Sequence, residues 1–198
     1  MSILIYAESA EGKIKKVALE LASYAKKVAA SMRTTVTAVT INNSDNSALA
    51  AYGVDKVLNV SNDKLNNFSA KAYADVIAQA AKKEGTQIVL VSSTTDSLYL
   101  APLVAVALEA GYASNVVALP VSTSPFQVKR TAFSNKAFNI TEISTPVKVL
   151  GIAKNSFGLV EDAVSMTEEA FAPSLNDADF GIKVENVEKV TGKVTIAD

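Results

Sequence analysis

Along the first 110 residues, apolar side chains recur in two alternating rhythms. Short, nearly continuous apolar runs at 3–8 ("ILIYAE") and 87–91 ("QIVLV"), with β-branched "TTVTAVTI" at 34–41 and "DKVLNV" at 55–60, predict buried strands. Between them the spacing lengthens to three and four. Ile14, Val17, Leu21, Tyr24 and Val28 predict an amphipathic helix whose other face carries lysines and Glu20. Phe68, Ala72, Val76 and Ala80, flanked by Tyr73 and Ile77, predict a second helix that Gly85 ends. A polar loop at 42–46 leads into a short helix closed by Gly53. Residues 98–110 are apolar almost all round and predict a buried third helix.

Strand and helix thus alternate, as expected of a parallel sheet with helices on both faces. After Gly111 the texture changes to closely spaced strand-like runs. "FQVKRTAFSNKAFNITEIS" reads as an antiparallel hairpin turning at Ser134, Asn135 and Lys136, and "VKVLGIA" as a further core strand. From Lys154 the chain turns polar and acidic, with a short helix or turn near "EDAVSMTEEA". It ends in the weakly alternating "IKVENVEKVTGKVTIAD", which reads as the approach to a further strand and hence as part of a longer chain. The fold class is therefore α/β: an open, mostly parallel, nucleotide-binding-like sheet over 1–153, plus an antiparallel hairpin and an extended arm over 154–198.

Composition narrows the chemistry. The formal net charge is −1, and Arg33 and Arg130 are the only arginines, so neither nucleic acid nor an anionic membrane is an expected partner. With no Cys and no His there is no thiolate nucleophile, no Ser–His–Asp triad and no histidine-bearing zinc site. The start of the chain has no basic segment of a signal peptide, and the longest apolar run is too short to span a bilayer. A cytoplasmic protein is expected.

In open α/β sheets, ligands bind beyond the carboxyl ends of the strands. Two turns stand there. "YAESAEGKIKK" occupies the place of a glycine-rich dinucleotide loop but has only Gly12, and Glu8 and Glu11 would repel phosphate; those acids suit a helix N-terminus instead. "SSTTDS" offers the hydroxyls of Ser92, Ser93, Thr94, Thr95 and Ser97 before a helix, yet it lacks glycine and any basic residue, and Asp96 adds a negative charge. Asp96 or Ser97 makes a helix cap there. If a nucleotide does bind, Ala7, Glu8, Ser92, Ser93, Thr94 and Ser97 line its pocket. The lysine pairs at 15–16, 26–27 and 82–83 read as solvated helix faces, and Lys129, Arg130 and Lys136 as a small basic hairpin suited to a surface or partner contact.

Over essentially its whole length the chain resembles the N-terminal domain of the electron-transfer flavoprotein α subunit. The resemblance rests on "ILIYAESAEGKIKKVALELASYAKKV", "AAYGVDKVLNV", "VLVSSTTDSLYLAPLVAVAL" and "VKRTAFSNKAFNITEISTPVKVLGI"; the tail "VENVEKVTGKVTIAD" is similar to the lead into that family's C-terminal domain. It implies a heterodimer with a β subunit and one FAD, held mainly by a C-terminal domain outside this chain. It further implies acyl-CoA or other dehydrogenases as transient electron donors. The domain itself would be a scaffold with no catalytic residue, metal or cofactor of its own. Ser97 and Leu98 stand where many relatives have Gly and a basic residue, Leu103 where they often have Arg, and Phe133, Ser134, Asn135, Lys136 and Ala137 replace a Tyr-Ala-Gly-Asn-Ala pattern. "SSTTDS" is accordingly read as a turn. The alternative is a stand-alone module binding an adenine nucleotide.

Overall fold

The apolar runs do become strands, and the computed structural model of the chain describes residues 2–182, 184–186 and 188. In chain order the elements are β1 (Ser2–Tyr6), a tight hairpin of β2 (Ser9–Ala10) and β3 (Lys13–Ile14), α1 (Lys16–Met32), β4 (Thr35–Ile41), a 3-10 turn (Ser47–Tyr52) and β5 (Lys56–Val60). A second 3-10 turn (Asp63–Leu65), α2 (Ala70–Glu84), β6 (Ile88–Ser92), α3 (Thr95–Ala107) and β7 (Gly111–Val116) follow. The remainder is β8 (Ser122–Thr123), β9 (Phe126–Ala132), β10 (Ala137–Glu142), β11 (Lys148–Ile152), β12 (Thr167–Ala170) and a last 3-10 turn (Asp177–Phe180).

Nine strands run in the order β10-β9-β7-β11-β6-β1-β4-β5-β12, with β8 paired to β9. From β7 to β12 all pairs are parallel; β9 joins β7 antiparallel and forms the expected hairpin with β10. Alternation along β1 divides the core in two. Ile3 and Ile5 meet α1 residues such as Leu21 and Tyr24 on one face, whereas Leu4 and Tyr6 meet α2 and α3 residues such as Ile77 and Leu100 on the other. Helices therefore cover both faces, as the spacing predicts.

Several expectations shift. Ile14 and Phe68 precede their helices rather than beginning the apolar rows: Ile14 lies in β3, and Phe68 packs its ring 5.0 Å from that of Tyr73 just ahead of α2. Helix α3 starts at Thr95, earlier than read, and is not buried all round. Leu98, Tyr99, Leu103 and Val106 are 54%, 68%, 41% and 78% exposed, because the sheet covers only the Leu100, Ala101 and Val104 side. The segment "EDAVSMTEEA" contains no helix; residues 167–170 form β12 as a parallel edge strand on β5.

The largest departure concerns Glu20. Placed among lysines on the outer face by spacing alone, it is buried, and its carboxylate accepts three backbone N–H bonds from Asn155 (2.9 Å), Phe157 (2.9 Å) and Gly158 (3.0 Å). One turn on, Ser23 accepts from the Val160 N–H and donates to the Val160 carbonyl, each at 3.1 Å, while Phe157 stacks edge-on against the buried Tyr24 at 5.6 Å. The polar segment after Ile152 therefore lies along this chain's own sheet. It continues through Asp162 and Val164, whose N–H groups bond to Ala51 and Ala50, to β12 and on to Gln79, Ser69 and Lys71 of the α2 region. Glu169 bridges Lys56 (2.8 Å) and Lys83 (2.9 Å), whose hydrogen bonds hold its carboxyl down at about 2. The alternating pattern expected over 182–198 falls mostly outside the described residues.

Burial alone would raise the Glu20 pKa, but the backbone donors of 155–158 outweigh it and lower it from the usual carboxylate value. A folded-state pKa below the unfolded one means the contribution is full above the unfolded value and is lost as pH falls through the folded one. Glu20→Ala is expected to cost about 2 kcal/mol, because buried N–H groups lose their acceptor. In a chain of this size that lowers Tm by roughly 4–8 °C. Protection of the 155–160 amides, taken relative to intrinsic exchange at each pH, should fall in the variant, and in the wild type as pH drops through the lowered Glu20 pKa; unchanged protection in both would refute the tether.

Candidate functional site

Strand β1 connects through α1 to β4 on one side, and β6 connects through α3 to β7 on the other. The chain's direction of progress reverses between β1 and β6, where doubly wound sheets place their ligands. Five of the six candidate residues meet at this crevice. Ala7 is fully buried and donates its N–H to the Val39 carbonyl (3.0 Å), which brings Glu8 onto the carboxyl edge of the sheet. Ser92 ends β6 and donates to the Val17 carbonyl of α1 (3.2 Å). Thr94 and Ser97 open α3.

Glu8 is 3% exposed, and its carboxylate is fully engaged. Oε1 accepts from the Thr94 hydroxyl (2.6 Å) and the Ser97 hydroxyl (3.1 Å), and Oε2 meets the Lys15 ammonium at 3.2 Å. The Lys15 N–H also bonds to the Glu8 carbonyl (2.9 Å), so the β2–β3 hairpin between them closes on itself. Lys15, its side chain still partly exposed, is thus the counter-ion of Glu8 at the start of α1 rather than only one of a solvated pair. Glu8 serves the first turn of α3 rather than that of α1, which contains no acid.

The cap of α3 is Thr94, two or three residues ahead of the expected Asp96 or Ser97. Its Oγ1 accepts from the Ser97 N–H at 3.3 Å while its own hydroxyl proton goes to Glu8. Ser93 stands apart: its N–H bonds to the Ile152 carbonyl (2.8 Å), which turns it toward β11 rather than toward Glu8.

The hydroxyls that resemble phosphate donors in the sequence are therefore the donors of an internal carboxylate. A charged group at a helix N-terminus is favoured by the helix dipole and the free N–H groups, and here the chain supplies that charge itself. A pyrophosphate in the same crevice would place its charge against Glu8, with Gly12 the only glycine in the β1–α1 turn. These residues do not suit a flavin or nucleotide phosphate. Burial raises the Tyr6 hydroxyl well above the ordinary phenol value, and the neighbouring Tyr73, Glu8 and Asp96 raise it further, so Tyr6 stays neutral beneath the site. A hollow of about 460 Å³ lined by Ser2, Arg33, Thr35 and Gln87 opens at the opposite, amino-terminal edge of the sheet.

Sequence reasoning missed Lys15 as the partner of Glu8. The one available signal was that both flank a turn with a single glycine, a spacing that brings their side chains together. It also missed the apolar outer face of α3, because hydropathy alone does not say which side the sheet covers.

Glu8→Ala is expected to remove about 2 kcal/mol of stability and to speed hydrogen exchange of the amides at 94–98, since Thr94, Ser97 and Lys15 lose a charged acceptor. Glu8→Gln should cost less, because it keeps the acceptor oxygen. Equal Tm values for wild type and Glu8→Ala would contradict this assignment.

Residues 3–178 match the electron transfer flavoprotein domain family. The chain is 28% identical over 196 residues to the electron transfer flavoprotein subunit alpha of Thermoanaerobacterium thermosaccharolyticum, covering 94% of this chain and 59% of that protein. It is 27% identical over 199 residues to the alpha subunit of Megasphaera elsdenii, covering 96% and 59%. With the alpha subunit of Clostridium acetobutylicum it shares 29% identity over 122 residues, 60% of this chain and 36% of that protein. The matched regions therefore span between 36% and 59% of these relatives' own length. It belongs to the electron transfer flavoprotein family, and its curated relatives there include alpha subunits.

Proposed function

We propose that this chain is the scaffold and partner-binding domain of an electron transfer flavoprotein alpha subunit. The observation that carries the reading is the Glu8 carboxylate held in the crevice between β1 and β6 by Thr94, Ser97 and Lys15. A domain of this family whose ligand crevice is closed by its own side chain contributes shape and surface rather than a cofactor site. The FAD of the assembly is then held mainly by residues beyond this domain, and electrons pass from acyl-CoA or other dehydrogenases to an acceptor without a catalytic group here.

The partner is a beta subunit, and the surface that suits it is the outer face of α3. Leu98, Tyr99, Leu103 and Val106 present a continuous apolar strip that the sheet leaves uncovered, a feature common to protein–protein interfaces. Among the described residues no helix is long and apolar enough to cross a membrane, in keeping with a cytoplasmic assembly. The reading as a stand-alone adenine-nucleotide module is disfavoured by the same Glu8 contacts.

Two outcomes are expected from co-expression with the beta subunit of the same organism. The two chains should co-elute in equal amounts, and Val106→Glu, on the most exposed position of the strip, should weaken the complex at least tenfold while leaving the circular dichroism of the free chain unchanged. The 198-residue chain purified alone should carry no flavin absorbance. Stoichiometric flavin on the isolated chain would overturn the scaffold reading, and an unaltered complex with Val106→Glu would overturn the assignment of the α3 face.

A further inference from the structure

Arg130 is a cation near the carboxyl edge that no carboxylate of the described residues pairs with. It lies on β9, opposite Val116 of β7, and donates through Nη2 to the Ser114 hydroxyl at 3.1 Å. Among the described residues no carboxylate stands within 4.0 Å of it, and its Nε–H is buried without an acceptor. Buried side-chain donors are nearly always paired, so an orphaned one calls for a reason. Lys129 and Lys136, which the sequence groups with Arg130, point elsewhere: Lys129 lies over the Phe138 ring at 4.3 Å and Lys136 over Phe133 at 5.9 Å. Glu8, on the same edge, already has Lys15.

Hydroxyls lie around this part of the sheet. Ser114 is bonded to it directly. Tyr112 and Ser93 converge above Gly151 of β11: a Cβ on that glycine would stand 3.2 Å from Ser93 Oγ, 3.5 Å from the Tyr112 hydroxyl and 3.6 Å from Ser114 Cα. The point over Gly151 is thus within reach of two O–H donors and next to the residue that anchors the arginine. Burial raises the Tyr112 hydroxyl and the Arg130 charge draws it back down, so Tyr112 remains a protonated donor at neutral pH and lies within the cation's field. A guanidinium with a free edge, surrounded by hydroxyls and short of any acid, has the chemistry of an oxyanion receptor.

We propose that Arg130, Ser114, Tyr112 and Ser93 form a binding site for a small oxyanion, a phosphate or carboxylate group, at the carboxyl ends of β6, β11 and β7. The site is distinct from the crevice closed by Glu8 and does not rest on the reading given under Proposed function. A purely structural role for Arg130, pinning β9 to β7, needs only the bond to Ser114 and leaves the buried Nε–H unexplained.

The test is an NMR titration of the 198-residue chain with inorganic phosphate, repeated with sodium acetate, following the amides of Ser93, Tyr112, Ser114, Arg130 and Gly151. Saturable shifts with at least one anion are expected. Arg130→Gln should weaken that binding tenfold or more and Tyr112→Phe about threefold, whereas Lys129→Gln, on the opposite face of the strand, should leave it unchanged. Tighter phosphate binding identifies the ligand as a phosphorylated small molecule; tighter acetate binding identifies it as a carboxylate, such as an acidic side chain of a docked protein. Absence of saturable shifts with both anions, or equal binding by Arg130→Gln, would overturn the proposal. Should Arg130→Gln unfold by circular dichroism, Ser114→Ala serves in its place, and undiminished binding in that variant would be equally decisive.

Discussion

With only 3% of its surface exposed, the Glu8 carboxylate must find its hydrogen bonds inside the protein. An ion withdrawn from water costs several kcal/mol unless charge and donors replace the solvent. Three groups from two places in the chain meet that demand: Lys15 at the start of α1, and Thr94 and Ser97 at the start of α3. Because α1 and α3 lie on opposite faces of the sheet, satisfying one carboxylate fixes both helices against the same strand end. It also places a carboxylate, its charge answered by Lys15, in the crevice that serves ligands in other doubly wound sheets.

A second carboxylate applies the same logic to the polar end of the chain. Glu20 gathers the N–H groups of Asn155, Phe157 and Gly158, and so helps turn the segment after Ile152 into a strap across α1 and the 3-10 turn at 47–52. Further along, β12 covers the edge of β5, which would otherwise expose a row of unpaired backbone groups. Apolar anchors and polar contacts hold this strap together: Phe157 and Met166 pack on the core beneath α1, and Phe171, Leu175 and Phe180 on the core beneath α2. Glu168 accepts from Asn46 and Asn59, and Glu169 bridges Lys56 and Lys83. The opposite edge, β10, has exposed residues along nearly its whole length.

Strands and helices whose burial follows a local period were legible in the sequence: β1, β4, β5, β6, the body of α1, α2 and the β9–β10 hairpin all stand where the apolar spacing puts them. What escaped depended on partners far along the chain. Glu20 looks like one more charge on a polar face until backbone groups 135 to 138 residues away arrive. "TEEA" alternates too weakly to read as a strand, and it becomes one because asparagines and lysines of the β5 region receive its acids. At the candidate site, the sequence identified the right turn and the right hydroxyls, and it recognised that Glu8 opposes phosphate. It could not reveal that the carboxylate and the hydroxyls satisfy each other across 86 and 89 residues of chain. For α3, the hydropathy was correctly read, but the burial inferred from it failed because only one side faces the sheet.

The central claim is that Glu8 permanently occupies the crevice between β1 and β6. It is tested most directly by following the side-chain carboxyl carbon of Glu8 by NMR while AMP is added to the 198-residue chain. A resonance that holds its position throughout the titration is the predicted result. A saturable displacement of that signal would mean that a nucleotide can enter the crevice, and would contradict the account.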